Sequence, residues 1–170
     1  MRLNKEEIKK YTVMTVLVLW YILMPQTGYE SGLDGNALEH AMSMMSHANV
    51  WHLAANLFAL WLIRNKMYLL PSLVIAFIMS FLPVRGIWQI GITMGFSGVL
   101  FAIFGIKWGV YCRKCAEDSD LRGKEALIRF FLKAYPFAIF GVFIPHINWC
   151  IHTYCLLAGL LYGRYNRHIG

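Results

Sequence analysis

Six long apolar runs, separated by short polar stretches, dominate this chain: 8–24, 47–63, 67–82, 95–111, 126–144 and 150–165. A hydrocarbon core about 30 Å thick is crossed by roughly 20 mostly apolar residues per helix, fewer where polar groups line an interior cavity. The pattern therefore predicts six transmembrane helices forming a single domain over residues 1–170. The first run follows a basic tail, as the apolar part of a signal peptide would. Met24-Pro25-Gln26-Thr27-Gly28 lacks the small-x-small cleavage pattern, however, so a retained helix is predicted. The segment 25–46 is too long for a simple turn; with Gly28, Gly32 and Gly35 among scattered apolar residues, it is expected to pack on the membrane surface.

Charge orients these runs. With the N-terminus in the cytoplasm, the inner segments hold Arg2, Lys5, Lys9, Lys10, Arg64, Lys66, Arg113, Lys114, Arg122, Lys124, Arg129, Arg164 and Arg167. The outer segments hold Arg85 beside Glu30, Asp34 and Glu39. Lys107 and Lys133 fall near the inner ends of their runs, where long side chains snorkel. This positive-inside asymmetry predicts an all-α polytopic membrane protein with both termini cytoplasmic.

Composition agrees with that expectation. Charged residues make up 15% of the chain and hydrophobic ones 58%, whereas soluble domains carry about 25% charge. The net charge of +7 does not point to nucleic acid, because the basic residues flank apolar runs and form no patch beside base-stacking aromatics. Cys112 and Cys115 make a lone C-x-x-C, and with Cys150 and Cys155 they form no disulfide framework. No motif asks for a cofactor or a metal.

Five polar residues stand out within the runs: His47, His52, Asn56, Ser97 and His152. His52 and Asn56 share a helix face, although an isolated amide more often bonds a neighbouring helix. His52 and His152 each precede the next arginine, Arg64 or Arg164, by 12 residues. At 1.5 Å per residue that is roughly 18 Å. Ser97 precedes Arg113 by 16 residues, about 24 Å by the same rise, a difference that helix tilt absorbs. Three separate helices thus put Ser97, His52 and His152 in one layer.

Ser97 lies in Gly95-Phe96-Ser97-Gly98 at the start of the fourth run. Glycines permit close backbone approach, and a helix N-terminus offers unpaired amides to developing negative charge. A serine hydroxyl becomes nucleophilic when a base takes its proton, and neutral histidine suits that near pH 7. His152 is the candidate base, with His52, Asn56 and the Ser97 amide as candidate oxyanion donors. Gly98, Gly105 and Gly109 lie within about 40° on a helical wheel, and Gly159 and Gly163 form G-x-x-x-G, which allows close helix contact. Phe101, one turn after Ser97, is placed either to stack on His152 or to fill outward-facing space.

His47-Ala-Asn-Val-Trp-His52-Leu-Ala-Ala-Asn56, then Gly95-Phe96-Ser97-Gly98, then His152 followed by Gly159 and Gly163 resemble the rhomboid intramembrane serine proteases over essentially the whole chain. The resemblance implies a Ser97–His152 dyad without an aspartate. It further implies an oxyanion hole of His52, Asn56 and the Ser97 amide, Gly95 in the nucleophile loop, Phe101 supporting His152, and His47 in a structural role. It implies an intramembrane endopeptidase of minimal prokaryotic type in the bacterial inner membrane. Its substrates would be single-span or membrane-anchored proteins, cut near the outer side of the bilayer. Cys155 stands where the family often has glycine, and the family's tryptophan–arginine pair is absent from 25–46. A silent client-binding relative is the alternative.

A metal site on His47, His52, His146 and His152 is disfavoured by the absence of H-E-x-x-H and by poor angular spacing. His40, His146 and His168 are expected at the surface, and Met42, Met44 and Met45 are expected to pack. Trp51, Trp88 and Trp149 are expected as interface anchors.

Overall fold

A computed structural model of the chain describes residues 4–30, 35–64, 66–83, 92–139 and 147–169. Gly32, Asp34, Arg85, Trp88, His146 and the end of the fifth run, 140–144, lie outside them. The described architecture is all α apart from one isolated antiparallel bridge between Tyr29 and Thr93.

Side-chain caps set most helix starts. α1 (Lys5–Leu23) opens with a reciprocal box in which Asn4 accepts the Glu6 and Glu7 amides and Glu7 accepts the Asn4 amide. Asn36 and Glu39 repeat that device at α2 (Ala37–Ser43). Asn49 caps α3 (Val50–Leu62), and α4 (Leu69–Ser80) follows Tyr68 in a left-handed conformation. α5 (Ser97–Asp118) begins without a side-chain cap. Ser119 caps α6 (Asp120–Arg129), a π-helical turn follows over Phe130–Ala134, and then comes α7 (Tyr135–Ile139). Asn148 caps α8 (Trp149–Tyr165).

These boundaries overturn the prediction of a six-span polytopic membrane protein. Among the described residues no helix is long and apolar enough to cross a membrane. α3 and α4 have 13 and 12 residues, so they reach only about 20 Å and 18 Å at the α-helical rise. α1 is longer, but Lys5, Glu6, Glu7, Lys9 and Lys10 occupy its first two turns. α5 includes Lys107 and runs on through Arg113, Lys114, Glu117 and Asp118. The run 126–144 is not one helix: Pro136 has no amide to give an i−4 carbonyl, and immediately before it the Tyr135 amide pairs with Phe130 O in π register. The expectations of an intramembrane serine endopeptidase of minimal prokaryotic type, of a bilayer partner, of membrane-anchored substrates and of an inner-membrane location rested on the spans and are corrected with them.

α5 is the centre of the bundle. It runs beside α8 in the same direction, and glycines close the gap. A Cβ on Gly105 would lie 2.2 Å from Leu156 O, and one on Gly109 2.2 Å from Leu160 O. From the other side, Gly159 and Gly163 would meet the carbonyls of Ala102 and Ile106 at 2.4 and 2.2 Å. The two backbones are in contact, as small residues at a helix interface permit. Cys155, the departure from the family glycine, sits fully buried opposite Gly98, where an added Cβ would be 3.5 Å from its sulfur. The thiol fills this end of the seam at ordinary contact distance.

Leu17, Leu53, Leu60, Val99, Ile103 and Ile151 belong to one core that joins α1, α3, α5 and α8. Cys112, Ala126, Phe130, Ala138, Leu156 and Leu160 form a second under α6 and α7. At the far end, the Arg113 guanidinium donates to the carbonyls of Gly163, Asn166 and Ile169, satisfying acceptors that the end of α8 leaves open. Many outward side chains are also apolar, among them Trp51, Leu70, Leu132 and Phe137.

Candidate functional site

The chain enters α5 through a tight approach. Gly95 has φ 120, and its amide donates to Ser43 O at 2.8 Å. A Cβ there would lie 2.6 Å from His52 Cε1, 2.8 Å from His52 Nε2 and 3.7 Å from Asn56 Nδ2. Glycine is required here by backbone conformation and by space together. Two residues later, Ser97 is the first residue of α5, where the amide has no carbonyl one turn behind it in the helix.

Ser97 Oγ lies 2.8 Å from His152 Nε2. The Phe101 ring stacks on the imidazole at 4.4 Å between centroids and 24° between planes. Burial, and secondarily the nearby His52, hold the His152 pKa below the ordinary histidine range. Neutral imidazole with Nε2 facing a hydroxyl is a proton acceptor.

His52 is held from behind. Its Nδ1 faces the Ala48 amide at 3.4 Å, so the ring proton belongs on Nε2, the nitrogen next to Gly95. Burial lowers its pKa as well. Asn56 Nδ2 donates to His52 O at 3.1 Å and keeps a second amide hydrogen for the site. His47 is fully buried; its amide donates to Gln26 Oε1 and its Nδ1 faces Met45 O. Its ring meets that of His52 edge-on at 5.2 Å.

Ser97, His152, His52, Asn56, Gly95 and Phe101 all line a cavity of about 850 Å³. These six residues, though not His47, are gathered around one space. Among the described residues, which do not include His146, no group of three His, Cys, Asp or Glu side chains is arranged to hold an ion. Cys112, Cys115, Cys150 and Cys155 are free thiols.

Sequence reasoning missed several residues around this cavity. His40, expected at the surface, is fully buried. Its Nδ1 lies 3.0 Å from Ser80 Oγ, and its ring stacks on Phe81 and tilts against Tyr29. Because Ser80 Oγ donates to Phe77 O at 2.6 Å, this contact reads as His40 donating to the serine oxygen. That leaves the Ser80 hydroxyl unavailable as the donor a general base would need. The described parts of the segment 25–46, expected to lie on a membrane surface, instead pack against α4 through His40 and pair Tyr29 with Thr93. Ser43, Gln26, Thr93 and Asn148 carried no residue-level signal except Asn148, an N-cap type directly before an apolar run.

Comparison with curated proteins and with solved structures gives no match. The Rhomboid domain family model matches residues 34–168, which includes every residue of the Ser97, His152, His52 and Asn56 cluster, and the chain belongs to the rhomboid domain family.

Proposed function

We propose that Ser97 and His152 form a nucleophile–base pair for acyl transfer, with His52, Asn56 and the Ser97 amide as oxyanion donors. The observation that carries this reading is the 2.8 Å contact between Ser97 Oγ and His152 Nε2 at the wall of a cavity that His52 and Asn56 also line. Gly95 lets the His52 ring come up against the backbone just before the serine, Phe101 holds the His152 ring, and His47 supports His52.

The chemistry follows from the groups. His152 Nε2 takes the hydroxyl proton as Ser97 Oγ bonds to the carbonyl carbon, and the carbonyl electron pair moves onto oxygen. Donors fixed in advance around that oxygen favour the tetrahedral state over the flat carbonyl. Collapse re-forms the carbonyl and breaks the bond to the leaving group, which receives the proton from His152. An acceptor hydroxyl then takes the acyl group by the same steps in reverse.

The test is labelling of the full chain with a fluorophosphonate, in which Ser97 Oγ bonds to phosphorus and fluoride leaves. Mass spectrometry is expected to find the adduct on Ser97, none in Ser97→Ala, and labelling at least ~100-fold slower in His152→Ala. Absence of an adduct on Ser97 in folded protein would sink the proposal.

A further inference from the structure

We propose that a buried hydrogen bond between Asn148 and Thr93 is the clamp that sets the Ser97–His152 distance, which makes both of them positioning residues. The inference rests on the acyl-transfer reading above and names what holds its reacting pair in place. Asn148 Nδ2 donates to Thr93 Oγ1 at 2.7 Å, between two buried side chains. Thr93 stands four residues before Ser97, and Asn148 four residues before His152. One side-chain bond therefore ties together the two entry points of α5 and α8, a single step upstream of both reacting groups.

Each end of the bond is itself anchored. The Thr93 backbone exchanges both hydrogen bonds with Tyr29, at 3.2 and 2.7 Å. Asn148 Oδ1 accepts the Ile151 amide at 3.2 Å, and Asn148 O receives the His152 amide at 3.4 Å. The same asparagine thus fixes the direction of the first turn of α8 with its oxygen and grips the approach to α5 with its nitrogen. Apart from the Ser97–His152 contact itself, no other side-chain hydrogen bond among the described residues joins the starts of α5 and α8. The glycine contacts begin at Ala102 and Leu156, on the other side of the reacting pair. Between Gly98 and Cys155 there is only van der Waals contact. A merely structural pair would contribute to stability without favouring one separation of serine and imidazole; a clamp governs that separation directly.

Full-length Thr93→Val, which keeps shape and loses the acceptor, is compared with Thr93→Ser, which keeps the hydroxyl. Asn148→Ser keeps a cap oxygen but cannot reach Thr93. Two readouts are used: the fluorophosphonate labelling rate, and the ¹⁵N shift of His152 Nε2, which reports its bond to Ser97 whether or not the protein reacts. Expected are labelling about tenfold slower in Thr93→Val, recovery to within about twofold in Thr93→Ser, and an Nε2 shift moved toward the unbonded value in Thr93→Val alone of these two. The double variant Thr93→Val with Asn148→Ser is expected to be no slower than the slower single one, because both remove the same bond. Thr93→Val with an unchanged Nε2 shift overturns the clamp, and so do single effects that multiply in the double variant. A wild-type chain that does not label refutes the acyl-transfer reading and leaves the Nε2 shift to decide the clamp. Loss of folding in Thr93→Val, judged by its melting profile, leaves the decision to Asn148→Asp. There the Thr93 hydroxyl can donate to the carboxylate, so a retained Nε2 shift supports the clamp and a lost one overturns it.

Discussion

Replacing Gly105 by alanine tests whether the α5–α8 backbone contact sets the geometry of the site. The new Cβ would start 2.2 Å from Leu156 O, with Leu160 N at 2.9 Å. Both obstacles are main chain, so neither can swing aside. Carbon atoms in comfortable contact with their neighbours sit near 3.5 Å, and even a tight contact requires the helices to part by about 1 Å. If that parting reaches the start of α5, the Ser97–His152 separation of 2.8 Å stretches to about 3.8 Å, beyond hydrogen-bond range. Overpacking of this kind costs about 1–3 kcal/mol, and the better helix propensity of alanine returns up to ~1 kcal/mol. A net loss near 1 kcal/mol lowers Tm by about 2–4 °C in a chain of this size. The assay pairs thermal unfolding with the labelling rate of Ser97. Gly98→Ala is the control for stability, because its Cβ would meet nothing nearer than the Cys155 sulfur at 3.5 Å; its Tm is expected to hold or rise. A Gly105→Ala protein that melts and labels like the parent would refute the reasoning.

Gly95→Ala places a side chain at φ 120 and within 2.6 Å of His52, so labelling of Ser97 is expected to slow by at least ~10-fold, since a misplaced donor costs that much or more; an unchanged rate constant would contradict the placement of His52. His40→Ala removes a fully buried ring between Tyr29 and Phe81 and the partner of Ser80. A loss of about 3 kcal/mol is expected in denaturant titration, in line with deletion of a buried ring, and a loss under ~0.5 kcal/mol, the surface range, would mean that the ring is not part of the core.

The site was more legible in the sequence than the helices were. Counting residues from Arg64, Arg113 and Arg164 placed Ser97, His52 and His152 in one layer, and these three line one cavity. Of the two roles weighed for Phe101, the stacked one is found. For Ser97 and His152 the unequal counts still meet, because on the two parallel helices Arg164 N lies beside Gly109, four residues before Arg113, so 16 steps on α5 and 12 on α8 start from different heights. Helix limits failed for a different reason. Apolar character continues through residues whose backbone is not helical, such as Ile63 after α3 and Met67 before left-handed Tyr68. Hydropathy records the side chain and is blind to the torsion. Apolar residues on the outside of the bundle, such as Leu70 and Phe137, lengthen the runs further. His40 was illegible because its partner Ser80 is 40 residues away, and a polar ring in a polar segment gives no hint of burial. The Thr93–Asn148 bond spans 55 residues and is hidden in the same way.

The glycine seam has a symmetry that the rest of the bundle must break. Gly105 and Gly109 on one helix, and Gly159 and Gly163 on the other, recur at intervals of four. A slide of α8 along α5 by four residues, about 6 Å, would set one glycine of each pair where the other had been. Such a seam is a ruler with evenly spaced marks and no zero. It fixes how close the helices come without choosing which mark faces which. The zero must come from features that do not repeat: Cys155 opposite Gly98, Ser97 facing His152, and Asn148 on Thr93. The Ser97–His152 pair is therefore part of the origin of the scale, and the proposed chemistry and the alignment of the two helices are read from the same few residues.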